Sequence, residues 1–149
     1  MLTWLKGEEF REVRAALEKA LRHLMGSVAR PELRKDVITD TYEALESLSK
    51  IVTGTSRDLS GNRELFLSKI KAPAEIHNLV KEYIDFGCEY RHGAGAAARP
   101  TPSEADTEMY LYLTGALIRR ALRAYNSDPT STGGRGPSRS LYPTISLSG

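Results

Sequence analysis

Cysteine is nearly absent: Cys88 is the only one among 149 residues, which excludes an internal disulfide and any all-cysteine zinc site. That usage suits a reducing cytoplasm. Long apolar runs are missing too. None approaches the roughly 20 residues needed to cross a bilayer, and no membrane association is expected. Met1 to Gly7 lacks the basic flank and apolar stretch of a signal peptide. With Trp4 and Leu5 directly before a helical pattern, the N-terminus reads as the cut edge of a longer protein. Net charge is also scarce: 21 basic and 19 acidic residues leave +2. So even a balance gives no strong bulk attraction to nucleic acid, and any RNA contact must come from local clustering. No glycine-rich phosphate loop, nucleophile elbow or paired-carboxylate signature occurs. His23, His77 and His92 have no ligand spacing, so no metal and no other cofactor is expected.

What the chain does have is helical periodicity, which predicts an all-α bundle of four to five helices. In a first helix, Gly7 to Met25, the residues Phe10, Val13, Leu17, Leu21 and Leu24 recur three or four apart and share a face. A second, Pro31 to Val52, carries Val37, Thr41, Ala44, Leu45 and Leu48 and stops at Gly54. The short link between them predicts an antiparallel hairpin. Thr55 to Asn62 reads as a polar loop. A short third helix, Arg63 to Ile70, would turn Leu65, Phe66 and Ile70 inward. Pro73 opens a fourth, to about Tyr90, with Ile76, Leu79, Val80, Tyr83 and Ile84 as its stripe and Phe86 or Gly87 against a neighbour. The fifth opens on Thr101-Pro102-Ser103-Glu104, a hydroxyl cap, a first-turn proline and a glutamate three residues after the cap. It continues through Met109, Leu113, Ala116, Leu117 and Ala121 to about Tyr125.

From Ser127 the composition turns to Ser, Thr, Gly and Pro. Leu141, Tyr142, Ile145 and Leu147 are too few to offset the entropy of ordering that stretch. The expected organisation is therefore a helical domain over residues 1–126 and a disordered tail over 127–149. Leu141-Tyr142-Pro143 could serve a partner as a short linear motif.

The chemistry-bearing residues cluster at the end of the fourth helix: Glu89, Tyr90, Arg91 and His92. Arginine can hold a phosphate in two-pronged fashion, and imidazole can move a proton near neutral pH. The plainer reading makes Arg91 and His92 complements to the helix dipole. Arg99, Arg119, Arg120 and Arg123 would form a basic, RNA-binding patch if the fifth helix folds back on the fourth, or else a solvated face. Tyr110, Tyr112 and Tyr125 could stack bases, or pack against a helix or a second subunit. His77 reads as a boundary residue, His23 as a dipole-compatible cap and Cys88 as a small buried side chain.

Three stretches carry a resemblance to a known family. They are Asp40 to Gly54, the Tyr90-Arg91-His92-Gly93 ending, and the closing run Ser103 to Arg120. Together they resemble the helical domains of bacterial abortive-infection proteins, within the broad HEPN group, over roughly Phe10 to Tyr125. The resemblance implies a four- or five-helix bundle that pairs with a second copy. It also implies metal-independent RNA cleavage by an arginine and a histidine meeting across the dimer. Their motif is an arginine, four to six residues, then a histidine. This chain departs from it, because no histidine has an arginine at that distance and Arg91 and His92 are adjacent. Two functions follow as expectations: a defence module acting on RNA through Arg91 and His92, or a non-catalytic dimerisation or regulatory module for a fused or neighbouring effector protein.

Overall fold

A computed structural model describes residues 5–91 and 99–130 of the chain. Among the described residues every regular element is helical: a 3-10 turn over Glu8–Phe10, then α1 Arg11–Gly26, α2 Leu33–Thr53, α3 Leu59–Lys69, α4 Ala74–Arg91 and α5 Glu104–Ser127. None is long and apolar enough to cross a membrane. The expected disordered tail lies outside the described residues from 131 onward. Its first part is ordered: Ser127 still belongs to α5, and Asp128 turns the chain by accepting from the amide (2.9 Å) and hydroxyl (2.7 Å) of Thr130.

Helix α2 is the axis of the bundle and touches all four others. Its buried residues explain why. Val37, Ile38, Thr41, Tyr42, Ala44, Leu45, Leu48 and Ser49 fall on more than one side, the pattern of a helix surrounded by neighbours rather than resting on one. Fully burying Leu45 or Leu48 is worth about 1.5–3 kcal/mol each. Helix α1 folds back on α2 as expected and buries Val13, Leu17 and Ala20. Gly54 closes α2 in the left-handed conformation, φ 70°, where glycine carries no steric penalty, and its amide reaches Lys50 O at 2.9 Å.

The polar loop expected over Thr55 to Asn62 is corrected in its second half. Helix α3 starts at Leu59, four residues early. Asp58 caps it by accepting from Gly61 N at 2.7 Å, and Glu46 of α2 accepts from Leu59 N at 2.9 Å. Asn62, fully buried, donates to Thr53 Oγ1 (2.7 Å) and Ser49 O (3.2 Å) and accepts from Thr55 Oγ1 (3.0 Å). That network fixes α3 against α2. It turns Leu67 inward and leaves Leu65 exposed, the reverse of the expectation for Leu65.

Helix α5 also starts differently. The cap is Ser103, which accepts from Asp106 N at 3.0 Å, so Pro102 precedes the helix and Thr101 is not the cap. Its buried face is Thr107, Tyr110, Leu111, Thr114, Leu117, Ile118, Ala121 and Leu122. Leu117 and Ala121 are inside as expected, whereas Met109 and Ala116 face out.

Candidate functional site

Helices α4 and α5 run antiparallel and are joined through aromatic rings. Tyr83 of α4 stacks on Tyr110 of α5 with centroids 4.3 Å apart and planes 5° from parallel. Tyr42 of α2 continues the stack, 6.3 Å from Tyr83. The hydroxyls lock it. Thr114 donates to Tyr110 O (2.8 Å), so its oxygen accepts from the Tyr83 hydroxyl (2.6 Å), and the Tyr110 hydroxyl donates to Tyr83 O (3.0 Å). Gly87 makes room for the stack. A Cβ there would collide with the Tyr110 hydroxyl and stand 2.5 Å from Tyr42 Cδ2. Burial pushes the pKa of all three phenols up, so they stay protonated and serve as donors, not as bases.

Because the rings hold α4 and α5 apart, an open cleft of about 330 Å³ runs along their outer side. Leu79, Phe86, Met109 and Leu113 supply its apolar lining; Glu82, Asp85 and Glu89 form an acidic rim on the α4 side, with Arg99 beside them. The cleft continues onto the outer face of α5. Met109 is 58% exposed and Tyr112 70%, both large for surface apolar groups. Gly115 and the exposed Ala116 follow as a flat step, and Arg119, Arg120 and Arg123 line the shallow depression beyond it. At successive turns, the outer stripe of α5 is thus apolar, then small, then basic.

The residues singled out from the sequence do not meet at one place. Arg91 is packed: its guanidinium lies 4.4 Å above the Tyr42 ring and 3.6 Å from Glu46 Oε2. It therefore ties the end of α4 to α2, and it would have to leave both partners to grip a phosphate. His92 lies outside the described residues. Arg99 pairs with Glu89 and covers Phe86 and Tyr90, closing one end of the cleft. Arg120 donates to Ile70 O (3.0 Å) and Lys71 O (3.3 Å), capping the carbonyls that α3 leaves behind where Lys71 takes φ 53°. Arg119 and Arg123 are exposed. Arg119, Arg120 and Arg123 share the outer face of α5 through their helical spacing, whereas Arg99 sits with the acidic rim, so the fold-back does not gather the four arginines into one patch. His77 bonds Ala72 O through Nε2 at 3.2 Å, and Cys88 is half-buried, 3.5 Å from the Tyr42 hydroxyl.

One cluster has no counterpart in the sequence reading. Asp40, buried in α2, receives His23 Nδ1 at 2.6 Å on one oxygen and Lys19 Nζ at 3.2 Å on the other. His23 is thus more than a dipole cap. The hydrogen bond from Lys19 to Asp40, with the carboxylate's charge behind it, raises the Lys19 pKa, and the three side chains together clamp α1 to α2. Among the described residues no group of three or more His, Cys, Asp or Glu side chains could hold a metal ion. No family model, curated protein or solved structure matches the chain.

Proposed function

We propose that the chain is a non-catalytic helical interaction module that joins two copies of itself through the outer face of α5. The observation that carries this reading is the order of that stripe: Met109, Tyr112 and Leu113, then Gly115 and Ala116, then Arg119, Arg120 and Arg123. A two-fold interface must be self-complementary. If two α5 helices cross antiparallel at Ala116, the small residues allow close approach. The aliphatic stem of Arg120, whose guanidinium stays on Ile70 O and Lys71 O, then faces Tyr112 of the other copy, and Arg123 faces Met109 beside the acidic rim of Glu82 and Asp85. Opposite charges at the two ends set the register.

Of the two functions left open by the sequence, the geometry favours this one, because the cleavage reading depends on Arg91, and that guanidinium is engaged by Glu46 and Tyr42. Sedimentation equilibrium over a concentration series tests the proposal. The wild type should form a reversible dimer, and Ala116→Glu should stay monomeric with an unchanged circular dichroism spectrum. A wild type that is monomeric at every concentration, or an Ala116→Glu variant that pairs as well as wild type, would overturn it.

A further inference from the structure

The cleft between α4 and α5 adjoins the pairing stripe and shares Met109 and Leu113 with it. We infer that this cleft is a binding site for an extended, basic, aromatic-bearing segment, and that residues 131–149 of the same chain are its occupant. The inference rests on the pairing proposal only in its consequence, that an occupied cleft weakens pairing.

Chemical match is the first argument. The cleft offers an apolar floor, Leu79, Phe86, Met109 and Leu113, under a rim of Glu82, Asp85 and Glu89, which share only the cations Lys81 and Arg99 and so keep a net negative charge. Residues 131–149 contain Arg135 and Arg139 and no Asp or Glu, followed at once by Leu141 and Tyr142. Cations and apolar anchors thus adjoin in the segment as carboxylates and apolar side chains adjoin in the cleft. Pro143 lacks an amide hydrogen and so gives up nothing when it lies against an apolar wall.

Reach is the second. Where the described chain ends, Pro129 lines one depression with Lys69 and Lys71, the residues just before α4. The described chain thus ends near the start of α4 at Ala74, and Leu79 of the cleft lies in the second turn of that helix. Leu113 stands fourteen residues before Ser127 in α5, about 21 Å at 1.5 Å per residue. Residues 131–140 can extend about 35 Å, enough to bring Leu141 to the middle of the cleft with slack. Because the segment is tethered, docking is intramolecular and independent of protein concentration, whereas pairing is not.

Methionine-methyl NMR of the full-length chain separates the two. Only Met1, Met25 and Met109 report; Met109 is in the cleft, and Met25 is exposed at the end of α1. In dilute samples, the Met109 methyl should shift between wild type and the Leu141→Ser/Tyr142→Ser variant while Met25 stays put. Glu82→Lys/Asp85→Lys should reproduce the displaced spectrum, and adding Arg135→Glu/Arg139→Glu should restore docking. Pairing, read from the concentration dependence of the same samples, should tighten several-fold in the Leu141→Ser/Tyr142→Ser variant. An identical Met109 signal in wild type and that variant would overturn the inference while leaving pairing to stand on its own data. A Met109 shift without pairing in either protein would uphold the docked segment and sink the pairing proposal instead.

Discussion

Gly87→Ala and Gly115→Ala make the same chemical change in α4 and α5, and the structure assigns them opposite signs. Glycine inside a helix costs about 0.5–1 kcal/mol relative to alanine through backbone entropy. At Gly115 an added Cβ meets nothing within 4 Å, so the full gain should appear. At Gly87 the same Cβ runs into the Tyr110 hydroxyl and Tyr42. Those rings cannot swing aside cheaply, because Tyr110 is tied to Tyr83 O and Tyr42 is stacked on Tyr83. Overpacking of this kind costs about 1–3 kcal/mol, and loss of the Tyr110 bond about 1 kcal/mol more. The net for Gly87→Ala is a destabilisation of about 1–3 kcal/mol after the helix gain is subtracted. Thermal melts in dilute protein, where pairing does not contribute, give the comparison. At about 4 °C per kcal/mol for a domain of this size, the two variants should differ by roughly 6–16 °C in Tm. If Gly87→Ala stabilises as much as Gly115→Ala, the stack is not packed as described.

Burial raises the pKa of Tyr42, Tyr83 and Tyr110, so each ionises more readily unfolded, near the ordinary value of about 10, than folded. Their contribution to stability is therefore complete below about pH 10 and is lost above it, by up to about 1.4 kcal/mol per pH unit for each ring. Tyrosinate absorbance from three of the seven tyrosines should rise only as helical signal is lost; full ionisation with helices intact would refute the buried stack. Arg91→Ala should lower stability by about 1–2 kcal/mol through the Tyr42 and Glu46 contacts. Transfer RNA incubated with wild type, Arg91→Ala or His92→Ala should be equally intact, and cleavage that only the wild type performs would revive the ribonuclease reading. Leu45→Ala should cost roughly 2–5 kcal/mol and Leu65→Ala less than about 0.5 in the same melts; equal losses would mean α3 is rotated.

Helix existence was legible because it follows from apolar spacing alone. Five stretches repeat at three and four residues, and all five are helices. Facing was less legible, and α5 shows why. Its inner face includes Thr107 and Thr114, which read as polar but are fully buried, their hydroxyls returned to Ser103 O and Tyr110 O. With the threonines discounted, Met109 and Ala116 completed an equally regular stripe, the one that proves to be outside. The start of α3 depends on Glu46 taking the Leu59 amide thirteen residues away, a contact no local pattern encodes. The His23–Asp40 pair and the Tyr42–Tyr83–Tyr110 stack likewise join separate helices, so only the assembled bundle reveals them. At the candidate site the basic residues of α5 could be read in advance, and the cleft could not. It exists because aromatic rings, admitted by Gly87, prop two helices apart.

Cross-linking at the proposed two-fold axis tests the account most directly. Ala116→Cys places a thiol where two copies of α5 would cross, and mild oxidation should convert it rapidly to a covalent dimer. Arg22→Cys, exposed on α1, and the wild type with Cys88 alone should form no covalent dimer under the same conditions. Cross-linking no faster at position 116 than at position 22 would contradict pairing through α5.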